Sequence, residues 1–159
     1  GEVIVNGKRV GKDVDFPPGL GLIIETPGFL PNMTGVKNLE ILASLNKKIG
    51  LEQIAAAIRR VGLDPLMEKP VGKYSLGMRQ RLGIAQAIME DPALLILDEP
   101  LNGLDKHGVR EMRQLIKGLK EQGKTILLAS HNQGDIDELC DTVCEMDAGV
   151  MTMIREESI

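Results

Sequence analysis

The sequence predicts an α/β domain with a parallel sheet. Two observations point to this class: segments with helical spacing alternate with short apolar runs, and those runs have the length of strands. Leu20–Ile24, Ala93–Leu97 and Thr125–Ser130 are apolar almost throughout, which is typical of strands covered by helices on both faces. We expect one domain, because 159 residues with 43% hydrophobic content suffice for one core and barely for two.

The first half of the chain predicts a hairpin, a buried strand and two helices. Asn6-Gly7 lies between short alternating segments and favours a tight hairpin turn, and Leu20–Ile24 is the first buried strand. Helical spacing begins after Thr34, a residue type that caps helices, and a second helix stops at Gly62. The predicted inward positions are Val36, Leu39, Leu42 or Ala43, then Leu51, Ile54, Ile58 and Val61. By periodicity, roughly residues 33–73 form a small helical insert.

The second half repeats the order of helix and strand. Helical spacing predicts a helix that ends before Asp91-Pro92, a second over Lys106–Gln122 that stops at Gly123, and a third before a terminal hairpin at Ala148-Gly149. The predicted inward positions are Met78, Leu82, Ala85 and Met89 in the first helix, Val109, Met112, Ile116 and Leu119 in the second, and Ile136, Leu139, Cys140 and Val143 in the third. We expect Ala93–Leu97 and Thr125–Ser130 to be buried strands of one sheet.

Composition argues against several classes of protein. A net charge of −4 and a pI near 5.3 provide no broad basic surface, so tight nucleic-acid binding is not expected. Cys140 and Cys144 lack the C-x-x-C spacing, and we expect them to be buried structural thiols one helical turn apart, in a reducing compartment. No apolar run approaches the length of a membrane span, so we expect a soluble chain.

The stretch GLKEQGKT, from Gly118 to Thr125, matches the phosphate-binding loop pattern G-x-x-x-x-G-K-[ST]. Such a loop works when a strand precedes it and a helix follows, because the helix then points its free amides at the phosphates. Here the predicted order is inverted, and a helix C-terminus repels phosphate. We therefore interpret Gly123 as a helix C-cap and Lys124 as a solvated loop residue.

The apolar run at Ala93–Leu97 ends in two carboxylates, Asp98 and Glu99. Open α/β sheets bind their ligands at the carboxyl ends of strands, so this pair is a candidate site. One carboxylate could help to hold Mg²⁺, directly or through water, while the other activates an attacking water. Taken alone, the doublet is equally compatible with an ordinary turn at a strand end.

Five motifs in order change that balance. They resemble motifs of ABC transporter nucleotide-binding subunits. The Q-loop is similar to IIETPGFLPNMTGVKNL from Ile23, and the signature sequence to YSLGM followed by RQR from Tyr74. The Walker B strand is similar to LLILDEP from Leu94, the D-loop to LNGLD from Leu101, and the switch-histidine strand end to ASH from Ala129. The resemblance implies a P-loop NTPase (ABC ATPase) core with a parallel sheet and an inserted helical subdomain. It covers nearly the whole chain.

The resemblance also implies catalytic roles. Glu99 would be the general base that polarises water for attack on the γ-phosphate of ATP, and Asp98 would support Mg²⁺, possibly through water. His131 would contact the γ-phosphate; as an isolated residue it would be an ordinary histidine. Arg79 and Arg81, which follow the signature sequence, are equally compatible with a solvated helix face.

A second group of residues would act across a dimer. Ser75, Gly77 and Met78 would bind a nucleotide held by the opposite subunit, because they lie at the amino end of a predicted helix. Asp105 would organise the facing subunit. Two subunits would therefore enclose two ATP molecules.

Two departures from the family pattern affect these expectations. Glu25 stands where the Q-loop usually has glutamine, as in some antibiotic-resistance and antimicrobial-peptide exporters. The family's phosphate-binding loop (Walker A), its helix and its first strands would precede Gly1, so we expect an N-terminally truncated chain that neither binds ATP strongly nor hydrolyses it. We also expect it to lack the strand that pairs beside Ala93–Leu97, and to associate through uncovered apolar surface.

The resemblance predicts a division into residues 1–26 (end of the N-terminal β region and Q-loop), 27–77 (helical subdomain with the signature motif) and 78–159 (Walker B, D-loop and H-loop part of the core). The complete subunit would couple ATP binding and hydrolysis to export. Its partners would be a second ABC ATPase subunit and an integral membrane permease, on the cytoplasmic face of the cell membrane. Nucleic-acid- or ribosome-associated ABC-type ATPases and degenerate regulatory subunits remain alternatives.

Overall fold

A computed structural model describes residues 1–24 and 27–156. Seven strands and five helices are assigned in this part of the chain. The strands are β1 (Ile4–Val5), β2 (Lys8–Arg9), β3 (Leu20–Ile23), β4 (Leu94–Asp98), β5 (Thr125–Ala129), β6 (Thr142–Asp147) and β7 (Val150–Glu156). The helices are α1 (Gly35–Asn46), α2 (Leu51–Arg60), α3 (Leu76–Ile88), α4 (Lys106–Glu121) and α5 (Gln133–Leu139), with a 3₁₀ turn at Val71–Lys73.

The sheet that positions the candidate site has three parallel strands in the order β3, β4, β5. Leu20 pairs with Leu94 on one side of β4, and Leu94 pairs with Thr125 on the other. The expectation that β4 lacks a neighbouring strand is therefore wrong, because β4 is the central strand. Among the described residues, the unpaired edges belong to β3 and β5.

Local signals explain most of the element boundaries. Asn6 and Gly7 have φ values of 50° and 75°, as a tight turn between β1 and β2 requires. The Thr34 and Ser75 side chains accept hydrogen bonds from the Lys37 and Met78 amides, so each caps a helix. Ala148 and Gly149, with φ values of 45° and 80°, turn the chain between β6 and β7.

One apolar core joins the helices to the sheet. The predicted inward residues Leu39, Ile54 and Leu82 are buried, as are Leu95 of β4 and Met112 of α4. Leu51 is an exception, because its position at the start of α2 leaves it 59% exposed. The 3-helix segment α1–α3 links β3 to β4, and α4 links β4 to β5, so each parallel pair has the helical crossover that it needs.

The strand β5 and the segment after it differ from expectation. Side chains along β5 alternate between exposed and half-buried, and Leu127 is 62% exposed, so the prediction of a buried strand is wrong. Helix α5 ends at Leu139, and Val143 lies in β6, so the predicted helical face through Val143 is also wrong. The described helices include none long and apolar enough to cross a membrane.

The expectation of two buried thiols holds only in part. Cys140 is half-buried at the end of α5, and burial raises the pKa of its thiol. Cys144 is exposed in β6, so the two cysteines do not share a helical face.

Gly21 allows helix α3 to pack closely on β3. A methyl group added at Gly21 would lie 2.7 Å from Cδ2 of Leu95 and 2.8 Å from Cγ of Pro92, and closer still to the carbonyl oxygen of Ala87. The backbone of α3 occupies the space that a side chain would need. The absence of a Cβ at this position therefore fixes the separation of helix and sheet.

We predict that Gly21→Ala lowers the free energy of unfolding by about 1–3 kcal/mol, because the added methyl group forces the helix away from the strand. Gly118→Ala is the matched control, since no atom lies within 4 Å of the added methyl group in α4. In a helix interior that change should raise stability by about 0.5–1 kcal/mol. Urea denaturation measures both, and equal effects of the two substitutions would contradict the packing argument.

Candidate functional site

The candidate site lies where β4 and β5 end side by side. Asp98, the last residue of β4, pairs with Ala129, the last residue of β5. The Glu99 amide donates a hydrogen bond of 2.9 Å to the Ala129 carbonyl and so extends the parallel ladder by one residue. Glu99 and His131 follow these strand ends, so the sheet register itself brings them together.

The Glu99 carboxylate and His131 are in direct contact. Glu99 Oε1 lies 2.6 Å from His131 Nδ1 and accepts a 2.9 Å hydrogen bond from the His131 backbone amide. The Glu99 side chain is 25% exposed, whereas that of His131 is 81% exposed. Both residues line one hollow of about 220 Å³, together with Asn102 and Asn132. A carboxylate held against an imidazole at an open rim can accept a proton from a bound water.

Asp98 precedes this pair, and its carboxylate has no hydrogen bond or ion pair to the described residues. Its carboxylate is therefore available to a cation or to a metal-bound water. No group of three or more His, Cys, Asp or Glu side chains among the residues described could hold a metal ion. A single carboxylate such as that of Asp98 fits Mg²⁺, because this ion binds through one or two carboxylates and completes its shell with phosphate oxygens and water.

The signature-like segment forms the amino end of α3. Ser75 is exposed, and its hydroxyl accepts a 3.2 Å hydrogen bond from the Met78 amide. Tyr74 before it is buried, and desolvation raises the pKa of its phenol. Gly77 is half-buried, and an added methyl group would lie 3.2 Å from the Gly103 carbonyl oxygen. Ser75, Gly77 and Met78 thus form the N-terminus of α3. They do not line the hollow of Glu99 and His131.

The loop after β4 packs against this same helix end. A methyl group at Gly103 would lie 2.6 Å from Cγ of Leu76, so the Leu76 side chain occupies the space beside Gly103. Asp105 then caps α4, because its Oδ1 accepts a 2.7 Å hydrogen bond from the Gly108 amide. Asp105 is therefore engaged within its own chain, and its predicted role toward a facing subunit stays a prediction.

Helix α5 begins directly after His131 and is anchored to α4. The Asn132 side chain accepts hydrogen bonds from the Gly134 and Asp135 amides and caps the helix. Asp135 is 5% exposed, and its Oδ1 accepts a 2.9 Å hydrogen bond from Nε of Arg113 on α4. Sequence reasoning missed this pair, because the two residues are far apart in the chain.

Two arginines and one glutamine on α3 form contacts that the sequence left open or did not indicate. Arg79 donates a 2.8 Å hydrogen bond to the Tyr74 carbonyl, and Arg81 donates one of 2.7 Å to the Val61 carbonyl. Arg81 also pairs with Glu111 at 2.6 Å and is 16% exposed, so of the two alternatives left open, a solvated face does not hold for Arg81. Gln80, which sequence reasoning passed over, is 3% exposed and contacts the backbone of Glu99. Its place on the apolar face, four residues before Ile84, is the signal that could have identified it.

The phosphate-loop-like stretch has the inverted order that the sequence predicted. Gly118 lies inside α4, Gly123 has a φ of 80° just after the helix, and β5 follows at Thr125. Lys124 is not solvated as expected, because its side chain is 14% exposed and its Nζ lies 2.7 Å from Oδ1 of Asp91. Glu25, the predicted Q-loop residue, lies outside the described residues.

Comparison with known proteins agrees with the resemblance to ABC transporter subunits. The ABC transporter family model matches residues 1–102. The uncharacterized ABC transporter ATP-binding protein YybJ of Bacillus subtilis is 42% identical over 149 residues, which cover 94% of this chain and 68% of YybJ. The bacitracin transport ATP-binding protein BcrA of Enterococcus faecalis is 47% identical over 82% of this chain and 42% of BcrA. The lantibiotic transport ATP-binding protein SrtF of Streptococcus pyogenes is 36% identical over 86% of this chain and 59% of SrtF.

A solved structure agrees at the level of the fold. The ATP-binding cassette MJ0796, determined as a dimer in a post-hydrolysis state bound to ADP and Pi, superposes with a TM-score of 0.82 at 18% identity. The match covers 98% of this chain and 74% of MJ0796. The predicted α/β class and P-loop NTPase architecture are thereby confirmed. With its sequence relatives and its fold in agreement, the chain belongs to the ABC transporter family of ATP-binding proteins.

Proposed function

We propose that this chain carries the hydrolytic part of an ATP-binding subunit of an ABC transporter. The observation that carries the proposal is the convergence of the Glu99 carboxylate and the His131 imidazole, 2.6 Å apart, from adjacent strand ends onto one hollow. Carboxyl ends of parallel strands are where α/β folds bind ligands. The family relationship supports ATP as that ligand.

Glu99 is the proposed general base. Its carboxylate is partly shielded from solvent but still reaches the hollow, so it can orient a water and accept its proton as the water attacks the γ-phosphate. His131 supports this arrangement in two ways. Its backbone amide and its ring both hold the carboxylate oxygen Oε1, and its exposed ring can reach a phosphate oxygen.

Asp98 is the residue proposed to support Mg²⁺, directly or through a water. When bound, the ion neutralises charge on the phosphate oxygens. Asp98 lies next to Glu99 but is held at the end of β4, where it pairs with Ala129. The Glu99 carboxylate is bound by His131, whereas the Asp98 carboxylate has no partner among the described residues, which suits separate roles.

Ser75, Gly77 and Met78 are proposed to bind the nucleotide of a second subunit. They lie at the amino end of the 13-residue helix α3, where the helix dipole favours an anion. Because these residues do not line the hollow of Glu99, they are suited to a nucleotide other than the one beside it. Asp105 is proposed to lie at the same dimer interface.

The remaining partners follow from the relatives. BcrA and SrtF are named as bacitracin and lantibiotic transport proteins, so we propose export of a related peptide antimicrobial through an integral membrane permease. The subunit would then lie on the cytoplasmic face of the membrane. We propose no nucleic-acid partner, because a net charge of −4 does not favour binding to a polyanion.

The chain spans 68% of the length of YybJ and 42% of that of BcrA, so activity is best measured on the full-length product of its gene. In that protein we predict that Glu99→Gln lowers the rate of ATP hydrolysis by about 10²–10⁴-fold, because the amide cannot accept a proton. Phosphate release measures the rate, and nucleotide binding should persist.

The control for this substitution is Glu121→Gln, the same change at an exposed position on the last turn of α4. It should leave hydrolysis unchanged. Undiminished hydrolysis in Glu99→Gln would remove Glu99 from the role of base. A wild-type protein that binds no ATP would remove the proposed function altogether.

We also predict that Asp98→Asn raises the Mg²⁺ concentration needed for half-maximal hydrolysis by about 10–100-fold, as loss of a partner of metal-bound water does elsewhere. The asparagine keeps the shape of the side chain but not its charge. Titration of hydrolysis with Mg²⁺ after chelation with EDTA measures the shift. An unchanged midpoint would show that Asp98 does not support the metal.

A further inference from the structure

Gln80 is one of the few buried polar side chains among the described residues. It lies one turn into α3, on the face that packs against the core, and is 3% exposed. Its Nε2 donates a 3.1 Å hydrogen bond to the backbone carbonyl of Glu99, 19 residues away. A buried amide must form a hydrogen bond, whereas an apolar side chain of the same size needs none. The glutamine at this position therefore points to a role for its hydrogen bond.

The backbone that Gln80 contacts is strained. Glu99 has a φ of +46°, a backbone conformation that residues other than glycine rarely adopt. Pro100 follows it and has no backbone N–H, so the peptide unit between Glu99 and Pro100 cannot donate a hydrogen bond to a neighbouring strand. Residues with such a conformation persist only when surrounding contacts hold them, and they cluster at functional sites.

Three hydrogen bonds hold the Glu99 peptide units. The Glu99 amide donates to the Ala129 carbonyl at 2.9 Å, which ties it to β5. The Glu99 carbonyl accepts from the Asn102 amide at 3.1 Å and from Gln80 at 3.1 Å. Of these partners, only Gln80 belongs to α3, and only Gln80 acts through a side chain. The direction of the Glu99 carbonyl therefore depends in part on a contact that a substitution can remove.

We propose that Gln80 is a positioning residue that holds Glu99 in its strained conformation and thereby keeps the Glu99 carboxylate against His131. The positive φ turns the Glu99 side chain out of the strand direction and toward the end of β5, where Oε1 contacts the backbone amide and the ring Nδ1 of His131. Without the Gln80 hydrogen bond, the Asn102 amide is the one remaining donor to the Glu99 carbonyl among the described residues, so the backbone at Glu99 is held less firmly and can relax. The carboxylate then leaves its place beside His131.

The consequence for hydrolysis rests on the proposed function. If Glu99 is the base, Gln80 fixes the position of the Glu99 carboxylate relative to the attacked phosphate through the Glu99 backbone, without contacting the carboxylate or the phosphate. Gln80 also places α3, whose amino end carries Ser75, in contact with the strand end of its own subunit. A displacement of α3 on ligand binding would then reach Glu99 through a single side chain.

The first test uses the two histidines as reporters, since the chain contains only His107 and His131. Long-range ¹H–¹⁵N spectra of the imidazole rings, assigned with His131→Ala, are recorded for the wild type and for Gln80→Met, which keeps the size of the side chain but removes the donor. We expect the ring signals of His131 to move and those of His107 to stay. Gln114→Met, an exposed change on α4, should move neither.

The second test is a cycle of kinetic measurements on the full-length protein. We expect Gln80→Met to lower kcat for ATP by about 10–100-fold with KM unchanged, as loss of positioning does. Added to Glu99→Gln, the same change should have no further effect on the residual rate, because Gln80 acts through Glu99. If Gln80→Met does not fold, Gln80→Asn replaces it, because it keeps an amide but shortens its reach.

The outcomes are distinguishable. Unmoved His131 signals, an unchanged kcat, or an equal loss of rate in the Glu99→Gln background would each overturn the positioning role. A wild-type protein without hydrolysis would instead overturn the proposed function, and the His131 spectra alone would then decide whether Gln80 positions Glu99. Moved His131 signals together with the non-additive loss of kcat support both the positioning role of Gln80 and the proposed function.

Discussion

The parallel pairing of β4 with β5 is the constraint on which the candidate site depends. Asp98 lies opposite Ala129, and the extra hydrogen bond from the Glu99 amide to Ala129 carries the pairing one residue past the strand. A shift of one residue would turn every side chain of β4 to the other face of the sheet. The close contact of Glu99 with His131 is therefore a property of the register, and the apolar core that fixes the register also fixes the polar site.

Helix α3 is the second element that the site requires, because it contacts three parts of the molecule at once. Gln80 reaches the end of β4, Arg81 reaches the last turn of α2 through the Val61 carbonyl, and the same arginine reaches Glu111 on α4. The Arg81 guanidinium, chiefly through its hydrogen bond, holds the pKa of the Glu111 carboxyl below its usual range. Buried side chains with directional hydrogen bonds of this kind restrict a helix to one orientation.

Features with a local physical cause could be predicted from the sequence, and those that depend on distant contacts could not. The Asn6-Gly7 turn, the Thr34 and Ser75 caps and the stop at Gly123 each follow from a few neighbouring residues. The sheet edge at Leu127, the burial of Lys124 against Asp91 and the hydrogen bond from Gln80 to Glu99 depend on residues that are not neighbours in sequence. The α/β class follows from local patterns, whereas the family and a shared role for Glu99 and His131 came from the resemblance of five motifs. The hydrogen bond from Gln80 that supports Glu99 followed from neither.

The contact between Leu76 and Gly103 has a mechanical consequence. The Leu76 side chain fills the space where Gly103 lacks one, and the Gly77 backbone lies close to the Gly103 carbonyl. Close-packed surfaces of this kind transmit displacement because they have little room to compress. We therefore expect a displacement of the first turn of α3 to shift the loop before α4 as well.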